Sequence, residues 1–186
     1  MSLEYYIRVY DNFLTNQECD LLCQQDGWVS HEWTDGKGNT VRKDNDLYIS
    51  YLSSEYRYIV ERFGEPTLQY SLDTNGAAPQ FGNTNLITSS CEPRLNKYYK
   101  GQHMDPHSDL IRNICGEGVP VLSSIVMLND SYKGGELLFN LKPENKKVSY
   151  KLNKGSIIIW PSTFLYEHEV TPVIEGERVS MVTWFW

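Results

Sequence analysis

The sequence predicts a mainly β fold with flanking α-helices, in the form of a sandwich or jelly roll. From about Leu86 to Trp186, short segments rich in Val, Ile, Tyr, Phe and Trp are separated by turn residues at intervals of about 8–12 positions. Helical spacing of apolar residues is confined to the first third of the chain. This rhythm of short strands is typical of closed or double-sheet β architectures. The predicted strands are Val121–Leu128, Gly135–Leu141, Val148–Leu152, Ser156–Trp160 and Val179–Trp186.

Two helices are predicted before this β region. Thr15 and Glu18 have the spacing of a capping box and should begin the first helix, which Gly27 should end. The second helix is predicted over Ser53–Phe63, with Gly64 and then Pro66 as its stop. Its apolar residues share one face at helical spacing, and they are Tyr56, Ile59, Val60 and Phe63.

The 186 residues suit one domain, with a helical flank and outer strands over 1–85 and the β core over 86–186. Two polar, glycine-containing stretches, Thr34–Asn39 and Ser71–Asn85, are predicted to be loops. Either could be an ordinary solvated connection or a lid over a substrate, with the first lid extending to Asn45. Trp28 and Trp33 precede the first loop and could line a peptide groove or a small pocket.

The charge of the chain bears on the kinds of partner. The formal net charge is −7, and no basic cluster is visible, which disfavours a nucleic-acid partner. No apolar run approaches the roughly 20 residues of a membrane span. The first residues lack the basic and apolar segments of a signal peptide. We therefore expect a cytoplasmic protein without a membrane partner.

The four cysteines, Cys19, Cys23, Cys91 and Cys115, have neither the density nor the spacing of a disulfide scaffold. A reducing compartment is the corresponding expectation. Cys19 and Cys23 lie four apart on the first predicted helix and could share a metal ion. We favour the alternative that both are buried apolar side chains.

Candidate metal ligands occur in the β region. In Pro106-His107-Ser108-Asp109, an imidazole and a carboxylate are two residues apart, and on a strand both would point to the same face. His168 is the natural candidate for a third ligand, since the chain has only 4 histidines. Two histidines and one carboxylate form the ligand set of non-haem Fe(II) oxygenases. A chance surface pair and an unrelated histidine remain the alternative.

An arginine strengthens the metal interpretation. Arg178 lies ten residues after His168, beyond a turn at Gly176. Its guanidinium could bind the far carboxylate of a dicarboxylic acid in a bidentate manner while the near end chelates the metal.

Several blocks between Arg94 and Trp186 follow one another in a specific order. Together they resemble the prolyl 4-hydroxylase branch of the 2-oxoglutarate/Fe(II) oxygenases, over about half of the chain. Four ordered blocks argue against chance agreement. The blocks are Arg94–Gly101 with Pro106–Asp109, Leu128–Asp130 followed by Gly134–Leu137, Lys154–Ser156 through Trp160–Pro161, and His168–Val173 with Gly176–Arg178.

This resemblance implies a double-stranded β-helix, a jelly roll of the cupin type, with an iron ion at its mouth. It implies that His107, Asp109 and His168 are the iron ligands. It also implies that Arg178 binds the distal carboxylate of 2-oxoglutarate, and these four residues are the implied catalytic set.

Two further positions follow from the resemblance. Tyr98, three residues before Gly101, would hydrogen-bond the cosubstrate, although the neighbouring Tyr99 is a competitor and ordinary packing of Tyr98 an alternative. The family usually has an aromatic residue three positions after the glycine, where this chain has Met104. This departure concerns the pocket lining rather than the iron.

One ambiguity lies within the motif itself. His103 and Asp105 form a second His-x-Asp pair four residues upstream, with the same strand parity as His107. Pro106 and the spacing from Gly101 favour the later pair.

The implied function is Fe(II)- and 2-oxoglutarate-dependent hydroxylation of a prolyl residue in a peptide or protein, with succinate and CO2 as co-products. The resemblance also suggests ascorbate as a cofactor. The same chemistry on a free amino acid, another side chain or a nucleobase is the first alternative. The second alternative is a non-catalytic β-sandwich that binds a metal or ligand. Such a protein would not need all three metal ligands together with Arg178.

Overall fold

The computed structural model describes residues 2–34, 39–75, 87, 89–110 and 118–186. Thirteen strands and three α-helices are found in these ranges, and the strands pair in antiparallel sheets. The mainly β prediction with flanking helices is therefore confirmed. The helices are α1 (Asn16–Cys23), α2 (Tyr58–Arg62) and α3 (Gly64–Asn75).

A seven-stranded sheet, the major sheet, forms one wall of the sandwich. Its order is β1-β10-β6-β13-β4-β3-β2, so strands from the second half of the chain form the centre and strands from the first half form both edges. Its strands are β1 (Arg8–Tyr10), β2 (Val29–Thr34), β3 (Thr40–Tyr51), β4 (Arg94–Tyr98), β6 (Leu122–Met127), β10 (Ile157–Pro161) and β13 (Arg178–Phe185).

A four-stranded sheet, the minor sheet, forms the facing wall in the order β5-β11-β8-β9. A small pair, β12 with β7, lies outside both sheets. The minor strands are β5 (Met104–His107), β8 (Leu137–Leu141), β9 (Lys146–Tyr150) and β11 (Glu167–Val170), and the small pair is β7 (Lys133–Gly134) and β12 (Val173–Glu175).

The major sheet is buried on both faces. One face packs against the minor sheet in a core that includes Ile125, Phe139 and Trp160. The opposite face packs against the helices in a second core that includes Leu22 and Met181. Because both faces are covered, every residue of β6 and β13 is buried, including polar residues such as Ser123 and Thr183.

The N-terminal helix agrees with its predicted start. Thr15 caps α1, its hydroxyl accepts a hydrogen bond from the Glu18 amide, and the Glu18 carboxylate accepts one from the Thr15 amide (2.8 Å). The reciprocal pair satisfies two amides that the first helical turn leaves without partners.

The prediction that Pro66 stops the second helix is wrong. A 3-10 turn and α2 cover most of the predicted span, but α3 then begins at Gly64 and places Pro66 in its first turn. Proline is tolerated there because the first helical amides have no partner within the helix. The first five residues of the predicted loop Ser71–Asn85 therefore belong to α3, and the remainder lies outside the described residues.

Residues 35–38 of the first predicted loop lie outside the described residues, whereas its proposed extension, residues 40–45, lies in β3.

Cys19 and Cys23 are free thiols, but Cys91 is disulfide-bonded, contrary to the expectation of reduced cysteines. Within the described ranges, no helix has the length and apolar character needed to cross a membrane.

Candidate metal centre and cosubstrate pocket

Three predicted ligands converge between the two sheets. His107 ends β5, Asp109 follows two residues later, and His168 lies directly opposite His107 on the neighbouring β11. Asp109 Oδ1 is 3.6 Å from His107 Nε2, and Asp109 Oδ2 is 3.7 Å from His168 Nε2. Their potential ligand atoms all lie within 4.8 Å of one another. One ion could therefore contact all three side chains.

Each imidazole is held in the orientation that a metal requires. His107 Nδ1 lies 2.8 Å from the Asp105 carbonyl oxygen, and His168 Nδ1 lies 3.0 Å from the Tyr166 carbonyl oxygen. A carbonyl oxygen only accepts, so Nδ1 must carry the proton in both rings. Each Nε2 then presents a lone pair toward Asp109, as in metal sites whose histidines are oriented by backbone carbonyls.

The electrostatics of the cluster keep its donors available. Burial opposes ionisation of Asp109, but the positive charge that His168 and His107 carry when protonated outweighs it and holds the pKa of Asp109 below its ordinary value. Burial lowers the pKa of His168 despite the attraction of Asp109. An ionised carboxylate and a neutral imidazole are the protonation states that bind a metal ion.

The upstream His-x-Asp pair has a different environment. His103 and Asp105 form an ion pair (3.2 Å), and their side chains are 36% and 48% exposed. In the described part of the chain, the metal-capable cluster comprises His107, Asp109 and His168 and excludes this pair. The structure therefore brings the later pair, rather than the earlier one, to His168.

Arg178 occupies a buried position at the start of β13. Its Nε donates to the Gly135 carbonyl (2.9 Å) and its Nη1 to the Ser180 hydroxyl (2.8 Å). Its Nη2 is buried and makes no hydrogen bond to any of the described residues. A buried charged donor without an acceptor is costly, and the carboxylate of a bound ligand would satisfy it.

Gly135 makes room for this guanidinium. A Cβ atom at position 135 would lie 2.9 Å from Cδ of Arg178, and the backbone φ is +62°. Any larger residue would displace the arginine from its position. The second glycine of the Gly134–Leu137 block thus has a physical role next to Arg178.

The two neighbouring tyrosines point to opposite faces of the major sheet. Tyr98 is buried, and its ring centroid lies 5.4 Å from Cζ of Arg178. Tyr99 is 45% exposed, and its ring packs at 5.5 Å from that of Tyr48. Strand alternation produces this separation. Tyr98 is thus the member of the pair that is placed for contact with a ligand.

A small cavity of about 30 Å³ contains the metal cluster. Its walls combine apolar and aromatic side chains with several polar ones, a mixture found in small-molecule sites. Sequence reasoning missed Arg94, Asn96 and Trp184 in this lining, although strand alternation from Tyr98 would have found the first two. The cavity is lined by Arg94, Asn96, Tyr98, Met104, His107, Asp109, Ile125, Trp160, His168, Val170, Val182 and Trp184.

Of the two predicted pocket residues Met104 and Trp28, Met104 lines the cavity and Trp28 does not. Met104 is buried and lines the cavity, at the position where the resembling family usually has an aromatic ring. The Trp28 ring instead receives the Lys97 ammonium at 4.2 Å. Lys97 lies between two cavity-lining residues of β4 and therefore points to the opposite face. Trp28 packs against the core beneath the helices and does not line the cavity.

These features define a class of protein. A jelly roll that places two histidines and one carboxylate on a single ion leaves open coordination positions, as in non-haem Fe(II) oxygenases. The donor set fits Fe(II), and the unsatisfied Arg178 Nη2 fits a dicarboxylate cosubstrate.

Comparison with known sequences then gives the family. The signature of the 2OG-Fe(II) oxygenase superfamily matches residues 93–186, and the chain belongs to this superfamily. It is similar to a PKHD-type hydroxylase of Shewanella baltica (strain OS185), with 30% identity over 180 residues, covering 93% of this chain and 75% of the relative. A PKHD-type hydroxylase of Prochlorococcus marinus (strain AS9601) is 32% identical over 178 residues, covering 92% and 74%.

Solved structures share the fold. A prolyl hydroxylase from Trichoplax adhaerens, in complex with a hypoxia inducible factor oxygen degradation domain peptide fragment, superposes with a TM-score of 0.70 at 17% identity. The match covers 98% of this chain and 84% of that one. A Pseudomonas putida prolyl-4-hydroxylase gives a TM-score of 0.62 at 18% identity, covering 97% and 91%. The jelly-roll prediction is confirmed. The chain is an Fe(II)- and 2-oxoglutarate-dependent dioxygenase.

Proposed function

We propose that this dioxygenase hydroxylates a prolyl residue in a peptide or protein. The observation that carries the proposal is the coincidence of a metal-capable triad and an unsatisfied buried arginine in a chain whose relatives are named PKHD-type hydroxylases. Two structural neighbours named as prolyl hydroxylases support the choice of a prolyl substrate.

In this proposal, His107, Asp109 and His168 hold Fe(II), and Arg178 binds the distal carboxylate of 2-oxoglutarate. Tyr98 donates a hydrogen bond to the cosubstrate, because its ring is buried beside the guanidinium of Arg178. Tyr99 faces away from the cavity and has no part in binding. The chain would act as one oxygenase domain over residues 1–186, since β1, β2 and β3 of the flank pair in the same sheet as β4 and β13.

The bound iron and cosubstrate supply oxidative hydroxylation, with succinate and CO2 as co-products. The residues of the chain orient and shield the reactants. The carbonyls of Asp105 and Tyr166 fix the rings of His107 and His168, so the metal-binding nitrogens are in place before the ion binds. Trp160 lies 4.9 Å from the His168 ring and, with other apolar side chains, excludes water from the base of the cavity.

A peptide library tests the proposal. The protein is supplied with Fe(II), 2-oxoglutarate, ascorbate and O2, and products are sought by mass spectrometry as a gain of about 16 Da, one oxygen atom. We expect oxidation at proline in a subset of peptides, none in matched peptides with alanine at that position, and one succinate per product. Omitting ascorbate tests the predicted need for it. Oxidation confined to other residues, to free amino acids or to a nucleobase would overturn the prolyl assignment.

A further inference from the structure

The cavity is lined by Arg94, an arginine other than Arg178, to which the established chemistry assigns no role. Arg94 begins β4, and alternation along that strand places it on the same face as Asn96 and Tyr98. All three line the cavity that contains the metal triad. Arg94 lies opposite Val182 on β13, four residues along that strand from Arg178. The two cations therefore occupy different ends of the same sheet face.

The guanidinium of Arg94 is oriented by one hydrogen bond and has further N–H groups that could bind a ligand. Its Nε donates to Asn96 Oδ1 (3.0 Å), and its Cζ lies 5.4 Å from the Trp184 ring centroid. Among the described residues, this is its one side-chain hydrogen bond, and it uses one of five N–H groups. The side chain is half-buried and lines the cavity.

The charges around Arg94 favour an anion. Among the described residues that line the cavity, Asp109 is the one carboxylate, and binding of iron would use its charge. Burial, followed by the positive charge of Arg94, lowers the pKa of the nearby His31 to about 4, so His31 is neutral at physiological pH. The charge of 2-oxoglutarate is matched by the metal and Arg178. With respect to these described lining residues, Arg94 then has no anionic partner, a costly state for a partly desolvated cation.

We propose that Arg94 is a specificity-determining residue that binds a carboxylate of the substrate close to the hydroxylated carbon. This inference rests on the proposed prolyl hydroxylation and names the class of prolyl substrate. A planar guanidinium fixed at Nε matches the geometry of a carboxylate. The carboxylate could be the α-carboxylate of a C-terminal proline, or an acidic side chain next to an internal proline.

Paired probes distinguish these sources. The first pair is Gly-Ala-Pro with a free or amidated C-terminus, and the second is an internal proline next to Asp or Asn in a capped peptide. Binding is measured anaerobically on the Fe(II)- and 2-oxoglutarate-loaded protein, from the change in its visible charge-transfer absorption. Turnover is then measured for each probe as oxidised proline.

We expect at least one carboxylate probe to bind the wild-type protein about 10- to 100-fold more tightly than its neutral partner, the range of a charge-assisted hydrogen bond. Arg94→Gln should reduce this ratio to about one, and Arg94→Lys should retain part of it. Affinities for Fe(II) and 2-oxoglutarate should be unchanged. Arg57→Gln, at an exposed position that does not line the cavity, is the matched control and should keep the wild-type ratio.

Several results would overturn the assignment. Equal binding of each charged and neutral pair by the wild-type protein, with proline still oxidised, would remove Arg94 from recognition but leave prolyl hydroxylation in place. A fall in Fe(II) affinity in Arg94→Gln with an unchanged ratio would show that Arg94 only balances Asp109. Absence of oxidised proline from these probes and from the peptide library would overturn both proposals.

Discussion

The two His-x-Asp pairs of this chain have the same chemistry and different environments. His103 and Asp105 lie at the surface as an ordinary ion pair, with side chains 36% and 48% exposed. Four residues later, Asp109 is 5% exposed and lies between the imidazoles of His107 and His168. The neighbouring tyrosines repeat this contrast, since Tyr98 is buried beside Arg178 and Tyr99 is at the surface.

The contrast shows that a ligand motif is defined by its partners across the sheet. His107 lies directly opposite His168 in the pairing of β5 with β11, whereas His103 precedes β5. Register therefore determines which pair can meet a third ligand. An exposed pair of this kind contributes little to stability or function, so the upstream residues serve as internal controls.

The largest expected effect comes from the metal ligands. His107→Ala, Asp109→Ala or His168→Ala should each abolish 2-oxoglutarate turnover and sharply lower iron occupancy, because each removes one of three ligands. His103→Ala and Asp105→Ala should bind iron as the wild-type protein does. Metal analysis after gel filtration, together with succinate formation, measures both. Loss of iron in His103→Ala with retention in His107→Ala would reverse the assignment.

A smaller effect is expected at the cosubstrate arginine. Arg178→Ala should raise the KM for 2-oxoglutarate while iron binding remains nearly intact. Loss of a buried charge-assisted pair costs about 2–5 kcal/mol, or roughly 30- to 4000-fold. Steady-state kinetics with varied 2-oxoglutarate measure the change, and thermal unfolding checks that the variant is folded. An unchanged KM would exclude Arg178 from cosubstrate binding.

The tyrosine pair provides a finer comparison. Tyr98→Phe removes one hydroxyl beside the buried guanidinium and should weaken 2-oxoglutarate binding by about 0.5–1.5 kcal/mol, roughly 2- to 12-fold. Tyr99→Phe should have no measurable effect, since its side chain is exposed on the other face. Anaerobic titration of the iron-loaded variants with 2-oxoglutarate gives both affinities. Equal affinities of the two variants for 2-oxoglutarate would show that Tyr98 has no special role in binding it.

The smallest effect is expected at Thr15, which lies outside the cavity, and it should concern the stability of the fold and not the activity. Thr15→Ala removes the cap of α1 and should lower the free energy of unfolding by about 1 kcal/mol without changing iron affinity.

The same cap should make stability depend on pH. Burial opposes ionisation of Glu18, but hydrogen bonds from Thr15 and the charge of Arg62 outweigh burial and lower the pKa of Glu18. This stabilisation is therefore present at neutral pH and is lost as the pH falls through the lowered value. Urea unfolding at neutral and acidic pH measures both effects, and loss of iron in this variant would link the cap to the site.

Much of this architecture could be predicted from local patterns. The β-rich second half, the Thr15 cap and the later His-x-Asp pair each depend on spacing within a few residues, which a sequence displays directly. Arg94 could be placed on the face of Tyr98 by alternation along β4, but Trp184 could not be placed beside it, because that contact depends on β4 pairing with β13. The start of α3 was missed because Pro66 ends one helix and opens another equally well.

The central claim is that His107, Asp109 and His168, together with Arg178, bind Fe(II) and 2-oxoglutarate at one centre. Anaerobic titration with Fe(II) and then 2-oxoglutarate tests it most directly, because chelation produces a weak visible charge-transfer band. The band should form in the wild-type protein and in the His103→Ala/Asp105→Ala double variant. It should be absent from the His107→Ala/Asp109→Ala double variant. A band in that last variant, or its absence from the first double variant, would contradict the account.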